Sequence, residues 1–246
     1  MKISSDILDI LSRSKIDDNC LSLPGQLDRN LYVRVDKVLK DAGAKWNKKA
    51  NGHVFQGSAS DRIESMLLTG EISSAKDFGF IPTALPYAEM AVEKLCVEDG
   101  MTLLEPSAGH GDLIKPVIGK AIIDCIELRD ENMDILRTIQ GVREIIHGDF
   151  LTMKPTTLYD RILMNPPFLR LDYIRHILHA FEWLKPGGCM VAIAPVGFTF
   201  GSTKLDCAFR DFLEENDSEV TELPVDAFKA SGVRVNTVMI VVRKSA

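Results

Sequence analysis

Met101-Thr102-Leu103-Leu104-Glu105-Pro106-Ser107-Ala108-Gly109-His110-Gly111-Asp112-Leu113 begins with a short apolar run, passes into small residues and leads to the amphipathic stretch 113–118. A run of that length closed by Pro and Gly predicts a buried strand, a tight turn and a helix start. Gly109 and Gly111 would let the backbone approach a ligand closely, and the helix start beyond them would offer free N–H groups to an anion. His110 reads as a variable position of that turn, not as a base. A Gly-x-Gly turn is a weak signal by itself, so its neighbours in the chain decide its meaning.

A second strand is expected over 121–128, with Glu127 near its end and Leu128 after it. A carboxylate at that place in a nucleotide-type fold can accept two ribose hydroxyls. A third strand over 143–147 runs into Gly148-Asp149-Phe150, where an acid and an aromatic could hold an adenine by its amino group and its face. A fourth, Tyr159-Asp160-Arg161-Ile162-Leu163-Met164, delivers Asn165-Pro166-Pro167-Phe168. Two consecutive prolines cannot continue the hydrogen-bond ladder. They leave an Asn amide, a Pro166 carbonyl and an exposed aromatic ring at a strand's carboxyl end, the edge where open parallel sheets bind ligands. Such a group suits a planar amine. The lone pair of a conjugated amine is delocalised, and two acceptors on its hydrogens, the Asn165 oxygen and the Pro166 carbonyl, would favour the pyramidal, nucleophilic form. Phe168 would give a face for a base rotated out of its strand. Alone, this tetrapeptide would more often be a proline-terminated strand with a buried Phe.

Taken in order, Glu105-Pro106-Ser107-Ala108-Gly109-His110-Gly111, Glu127, Asp149-Phe150 and Asn165-Pro166-Pro167-Phe168 resemble the motifs of the S-adenosylmethionine-dependent amino-methyltransferases, most of all the DNA adenine-N6 branch of bacterial, plasmid and phage type. The likeness spans 78–244, and four motifs in the right strand context are a specific signal. Phe78-Gly79-Phe80-Ile81-Pro82-Thr83 resembles the family's segment over the methionine end of the cofactor, with Ala84 where a further Pro is usual. The resemblance implies S-adenosyl-L-methionine as cofactor. Phe80, Pro82 and Thr83 would close over it, and Glu105, Pro106, Ser107, Gly109 and Gly111 would surround its methionine moiety. Glu127 and Leu128 would lie at the ribose and Asp149 and Phe150 at the adenine. Asn165 would border the cofactor and, with Pro166 and Pro167, orient the target amine, Phe168 stacking on the acceptor. No general base is required, because the methyl carbon is already activated and alignment does most of the work.

The rest of the chain fits an α/β protein. Further helices are expected over 87–95, 171–184 and 205–215, and strands over 189–194, 220–223 and 237–242, giving a doubly wound seven-stranded sheet of class I methyltransferase (Rossmann-like) type. The resemblance implies that the last strand is antiparallel. The chain has 246 residues, room for that domain (74–246) plus a small α+β accessory module (1–73). No segment approaches the about 20 apolar residues of a membrane span, and the amphipathic turn at 6–11 follows the start directly. Cys20, Cys96, Cys125, Cys189 and Cys207 are scattered and read as reduced core thiols, so a cytoplasmic location is expected. His176 and His179 have no third ligand nearby, so a solvated helix face is expected there and no metal site. Trp46 and Trp183 read as packing residues.

In the first module, strands are expected over 20–23 and 53–56 and helices over 29–42 and 61–68, a βαβα-like unit. The net charge of −6 argues against a broad phosphate-binding surface. Yet Arg29, Arg34, Lys37, Lys40, Lys45, Lys48 and Lys49 outnumber the acids Asp28, Asp36 and Asp41 over 28–53. Lys45, Trp46, Lys48 and Lys49 fall in a stretch expected as a loop, which suits either phosphate contact with stacking or a solvated turn. The core has no sizeable recognition insert, so recognition would fall to this module, to the loops 198–204 and 228–234, or to a partner subunit or second copy. DNA is the favoured acceptor. RNA base amines and protein glutamine amides are the alternatives, and outside catalysis a nucleic-acid-binding subunit keeping the fold.

Overall fold

The computed structural model describes residues 2–56, 58–72, 81–224, 227–228 and 235–246. The chain divides into two compact units, Met1–Asp77 with Val196–Ala208, and Phe78–Pro195 with Phe209–Ala246.

The first unit begins with α1 (Ser5–Ser12), β1 (Lys15–Asp17), β2 (Cys20–Ser22), α2 (Arg29–Asp41), β3 (Lys45–Asn47), β4 (Gly52–Val54) and α3 (Ala59–Thr69). Its strands form an antiparallel sheet in the order β1-β2-β4-β3. Asp28 caps α2 by accepting from the backbone N–H groups of Asn30 and Leu31. Ile7, Leu11, Leu21, Val35, Leu39, Ile63 and Met66 form one buried core. The stretch 45–53 is therefore a hairpin, not a loop, and the unit is not the βαβα arrangement expected. Lys45, Trp46 and Asn47 are all exposed, so β3 lacks the alternation that marks a strand in sequence. The Asn47 side chain accepts from the N–H groups of Lys49 and Ala50, and Asn51 takes φ +50°, which together close the turn.

The second unit holds α4 (Leu85–Leu95), β5 (Thr102–Glu105), β6 (Ile122–Glu127), α5 (Asp130–Leu136), β7 (Val142–His147), β8 (Tyr159–Met164), α6 (Asp172–Glu182), β9 (Leu184–Pro195), β10 (Glu219–Glu222) and β11 (Thr237–Arg243). A further helix, α7 (Lys204–Glu215), crosses the boundary between the units in sequence. The seven strands form one sheet ordered β10-β11-β9-β8-β5-β6-β7. β5 to β9 run parallel, and β11 lies antiparallel between β9 and β10. Chain order runs outward from β5 through β6 to β7 on one side and from β8 to β9 on the other. The reversal between β5 and β8 is the switch point at which α/β sheets open a crevice. The central strands are apolar because both faces are covered: Leu103, Leu104, Ile162, Leu163 and Met164 have no exposed surface.

Two local expectations fail. The stretch 113–118 forms only a short 3-10 turn, Lys115–Val117, because Pro116 and Gly119 leave too few residues for an α-helix. Helix α5, with Asp130 and Glu131 in its first turn, was not expected. Cys125 and Cys189 are buried thiols as read, but Cys96 and Cys207 are exposed. Trp183 is buried, whereas Trp46 is 46% exposed with its edge against His53.

One polar group ties three strands together. Asp124 of β6, 1% exposed, accepts from the Tyr159 hydroxyl of β8 at 2.9 Å and from Arg143 of β7, whose Nε lies 2.9 Å away. Burial and the neighbouring carboxylate hold the Tyr159 hydroxyl well above the usual phenol range. Asp124→Ala would strand the Tyr159 hydroxyl while leaving the half-exposed Arg143 to water. Denaturant unfolding should show a loss of about 1.5–3 kcal/mol, and a loss under about 0.5 kcal/mol would show that the group contributes no stability.

Candidate functional site

A cleft of about 270 Å³ lies at the carboxyl ends of β5 to β8. Pro106 and Ser107 after β5, Glu127 and Leu128 after β6, Asp149 and Phe150 after β7, and Asn165, Pro166 and Pro167 after β8 all line it. Thus the four motifs of the sequence converge. A smaller recess shares Ile81, Ser107 and Asn165 with the cleft and adds Pro82, Thr83, Glu105, His110 and Asp112. Phe80 lies outside the described residues.

Gly109 and Gly111 line neither hollow; they shape the turn. Both have positive φ, +55° and +69°, which side chains rarely adopt. The Gly109 N–H donates to Glu127 Oε2 at 2.6 Å, and the Arg129 N–H donates to Oε1 at 2.8 Å. Glu127 is only 6% exposed. It closes the turn after β5 onto β6, and each oxygen keeps a lone pair for a ligand. Asp149 accepts from the Leu151 N–H through Oδ1. Phe150, 2% exposed, sits against His176 and His179, with ring centroids 5.9 and 4.7 Å away.

Asn165 has the most telling geometry. Its Nδ2 donates to the Ile81 carbonyl at 2.8 Å and to Thr83 Oγ1 at 3.0 Å. A carbonyl can only accept, so this contact fixes which end of the amide is nitrogen. The opposite atom, Oδ1, is buried with no hydrogen-bond partner. Glu105 presents a second such atom: its carboxyl is 2% exposed and Oε2 has no partner. Burial, with Asp112 and Glu127 nearby, pushes this carboxyl well above the usual range. Buried acceptors without donors are uncommon in folded proteins, and these two residues line the same recess.

Phe168 departs from expectation. Its ring is 1% exposed and packs edge-on to Phe228 at 6.4 Å instead of facing the cleft. The two histidines also differ from the solvated face expected: His176 is 7% exposed and lines the cleft, and His179 packs on Phe150. Among the described residues no three His, Cys, Asp or Glu side chains are grouped to hold a metal. His176, Asn132 and Ile81 line the cleft without having been expected there. For His176 a signal existed, because it falls on the buried stripe Tyr173, Ile174, Ile177 and Ala180 of α6. The chain enters α6 through Arg170 and Leu171, both left-handed at φ +58° and +57°, and consecutive non-Gly residues there are strained, as is common beside functional sites.

In the first unit, Lys45 and Trp46 lie on β3 and Lys48 and Lys49 in the hairpin turn, all exposed. No helix among the described residues is long and apolar enough to cross a membrane.

No protein-family model and no curated protein matches the chain. Solved structures do. A Listeria monocytogenes protein assigned as a class I S-adenosylmethionine-dependent methyltransferase is 14% identical, with a TM-score of 0.58 over 88% of this chain and 73% of that one. A modification subunit assigned to a type I restriction enzyme of Vibrio vulnificus YJ016 is 17% identical, with a TM-score of 0.58 over 96% of this chain, which spans 60% of that subunit. An S-adenosylmethionine-dependent O-methyltransferase of Thermotoga maritima is 18% identical, with a TM-score of 0.51 over 79% and 74% of the two chains. The fold is therefore the Rossmann-like α/β fold of the class I methyltransferases.

The Glu105 carboxyl carries a stability signature. An acid whose folded-state ionisation is raised keeps its proton to higher pH than in the unfolded chain, so stability falls as pH rises between the two values. Glu105→Gln removes that fall. Thermal melts should give equal midpoints for variant and parent near pH 4 and a higher midpoint for the variant at pH 8, by at least the roughly 2–4 °C that 1 kcal/mol produces in a chain of this size. Parallel melting curves across this range would mean that Glu105 is ordinarily ionised in the folded protein.

Proposed function

We propose that this chain transfers a methyl group from S-adenosyl-L-methionine to an exocyclic amino group, N6 of adenine in DNA. The observation that carries the reading is Asn165: an amide pinned by two acceptors on its nitrogen, with its oxygen buried and unpartnered at the mouth of a switch-point cleft. An amino hydrogen is the donor this atom lacks. The Pro166 carbonyl stands beside it, and neither Pro166 nor Pro167 has an N–H to compete with the amine for an acceptor.

The residues present fit the cofactor. Glu105 offers a buried carboxyl without a partner, suited to a cationic amino-acid end. Glu127 keeps a lone pair on each oxygen for ribose hydroxyls, and Asp149 and Phe150 offer an acceptor and an aromatic edge for adenine. Ile81 and Thr83 hold Asn165 and, with Pro82, border the same recess, so residues 81–83 would connect cofactor to acceptor. Bound there, the cofactor would supply an activated methyl carbon that the amine lone pair attacks as sulfur leaves with the bonding electrons. The protein's part is alignment and polarisation: Asn165 and Pro166 accept the amine's hydrogens most strongly as it becomes pyramidal, and the proton then leaves to solvent. Pro167 lines the cleft as an apolar wall. Stacking of a base on Phe168 requires that ring to leave Phe228.

The fold does not choose the acceptor, since an O-methyltransferase shares it. The restriction-enzyme modification subunit among the similar structures supports a DNA acceptor. So does the hairpin of the first unit. Arg34 pairs with Asp6, and Lys40 with Asp36, whereas Lys45, Lys48 and Lys49 are exposed with no ion pair among the described residues. These three lysines beside the exposed Trp46 suit a phosphate backbone and a stacked base better than a protein glutamine. In this reading residues 1–73 are a nucleic-acid-holding accessory module and 74–246 the methyltransferase domain.

Labelled-methyl transfer to unmethylated DNA, RNA and protein pools tests the reading directly. DNA should be labelled at adenine N6, and labelling of RNA or protein alone would replace the acceptor. Asn165→Ala should leave cofactor affinity near that of the parent while cutting transfer by about 10² or more; transfer at the parent rate would end the amino-methyltransferase assignment. Changing Lys45, Lys48 and Lys49 together to Ala should reduce the slope of log affinity for DNA against log salt by up to about 2–3. An unchanged slope would place recognition outside the hairpin.

A further inference from the structure

His176 is a buried imidazole on the wall of the cleft, and its tautomer is set by its surroundings. Nδ1 lies 2.8 Å from the Asp172 carbonyl oxygen. That oxygen can only accept, so the proton sits on Nδ1 and the lone pair on Nε2. The ring rests against Phe150 at 5.9 Å, and α6 is aimed by the strained Arg170–Leu171 turn. Asp149 lines the same cleft, close enough for its charge to act on the imidazole, and uses Oδ1 for the Leu151 N–H, while Oδ2 has no hydrogen bond among the described residues. Two acceptors thus line the cleft beside Phe150.

We propose that His176 is a cofactor-specificity residue, its Nε2 accepting one hydrogen of the cofactor's adenine amino group while Asp149 Oδ2 accepts the other. The inference rests on the methyltransferase reading above and extends it to the purine end. Adenine presents two hydrogens on one nitrogen at position 6, and two acceptors on a rigid wall match that pattern. Hypoxanthine presents a carbonyl at the same place, which would set an acceptor against two acceptors and leave all of them unpaired. A site built to hydrogen-bond a ligand group rejects the analogue lacking it more strongly than it would reject a change in size. The imidazole is suited to this role because burial holds it below the ordinary histidine range, against the opposing pull of Asp172 and Asp149 and with help from His179, which keeps the lone pair free at neutral pH.

The test compares S-adenosylhomocysteine with S-inosylhomocysteine, which differ in the group at position 6, amine or carbonyl, and in the proton that the carbonyl form carries on N1, by calorimetry on the full chain. The parent should prefer the adenosyl ligand by about 10² or more. His176→Phe should narrow that preference by about tenfold, mainly by weakening the adenosyl ligand. His176→Gln, which supplies an amide oxygen, should restore part of it and controls for folding. If both ligands weaken equally in His176→Phe, the ring is only a packing element and the inference is overturned. A normal preference in the variant with a slowed methyl-transfer rate would instead make His176 a proton acceptor, again overturning it. Failure of the parent to bind either ligand would remove the cofactor reading itself, a result distinct from the other two.

Discussion

The reversal of strand order between the parallel neighbours β5 and β8 governs the rest of the second unit. These strands are hydrogen-bonded neighbours, Leu103 opposite Arg161 and Leu104 opposite Ile162, yet the chain leaves them toward opposite edges of the sheet. Their following loops therefore diverge, and the space between them is where a sheet of this kind opens a crevice. Glycines are needed on one side of this gap, where the chain turns back sharply at Gly109 and Gly111. Prolines serve on the other, where the ladder must stop at Met164. Glu127 then joins the two neighbouring turns by accepting the Gly109 N–H. One carboxylate thus shapes the turn and faces the cleft, so a substitution there would disturb geometry and binding together.

The sequence made this half of the molecule legible because its signals are local. Leu103-Leu104 and Ile162-Leu163-Met164 are fully buried runs bounded by residues that cannot extend a strand, so existence, order and ends could all be read. What stayed hidden depended on partners far along the chain. Phe168 is buried because Phe228 covers it, and Glu127 loses its freedom because a backbone N–H from another turn reaches it. His176 looked like part of a polar pair with His179, although the helical stripe it belongs to was visible in the apolar residues beside it. In the first unit all four strands are three residues long, but β2 and β4 carry buried residues whereas β1 and β3 have none, so these two leave no apolar signal.

The cleft is also chemically one-sided, and this bears on what can occupy it. Asn165 Oδ1, Asp149 Oδ2, the Glu127 carboxylate and His176 Nε2 are acceptors, the Glu105 carboxyl becomes one when it loses its proton, and three of the five residues carry carboxyl groups. Water could satisfy some of them, but not the two buried atoms on Glu105 and Asn165 without entering a recess of about 20 Å³, little more than the space of one molecule. A ligand rich in donors and carrying positive charge relieves this wall, and a phosphate would be repelled by it. The same wall therefore favours the proposed cofactor, with its ammonium, sulfonium, hydroxyl and amino groups, and disfavours the backbone of the proposed acceptor. A nucleic acid could present a rotated base to Asn165 only if its phosphates were neutralised away from these carboxylates. In a chain of net charge −6 that neutralisation has to come from cations outside this wall, and it would act by electrostatics alone, before any base is read.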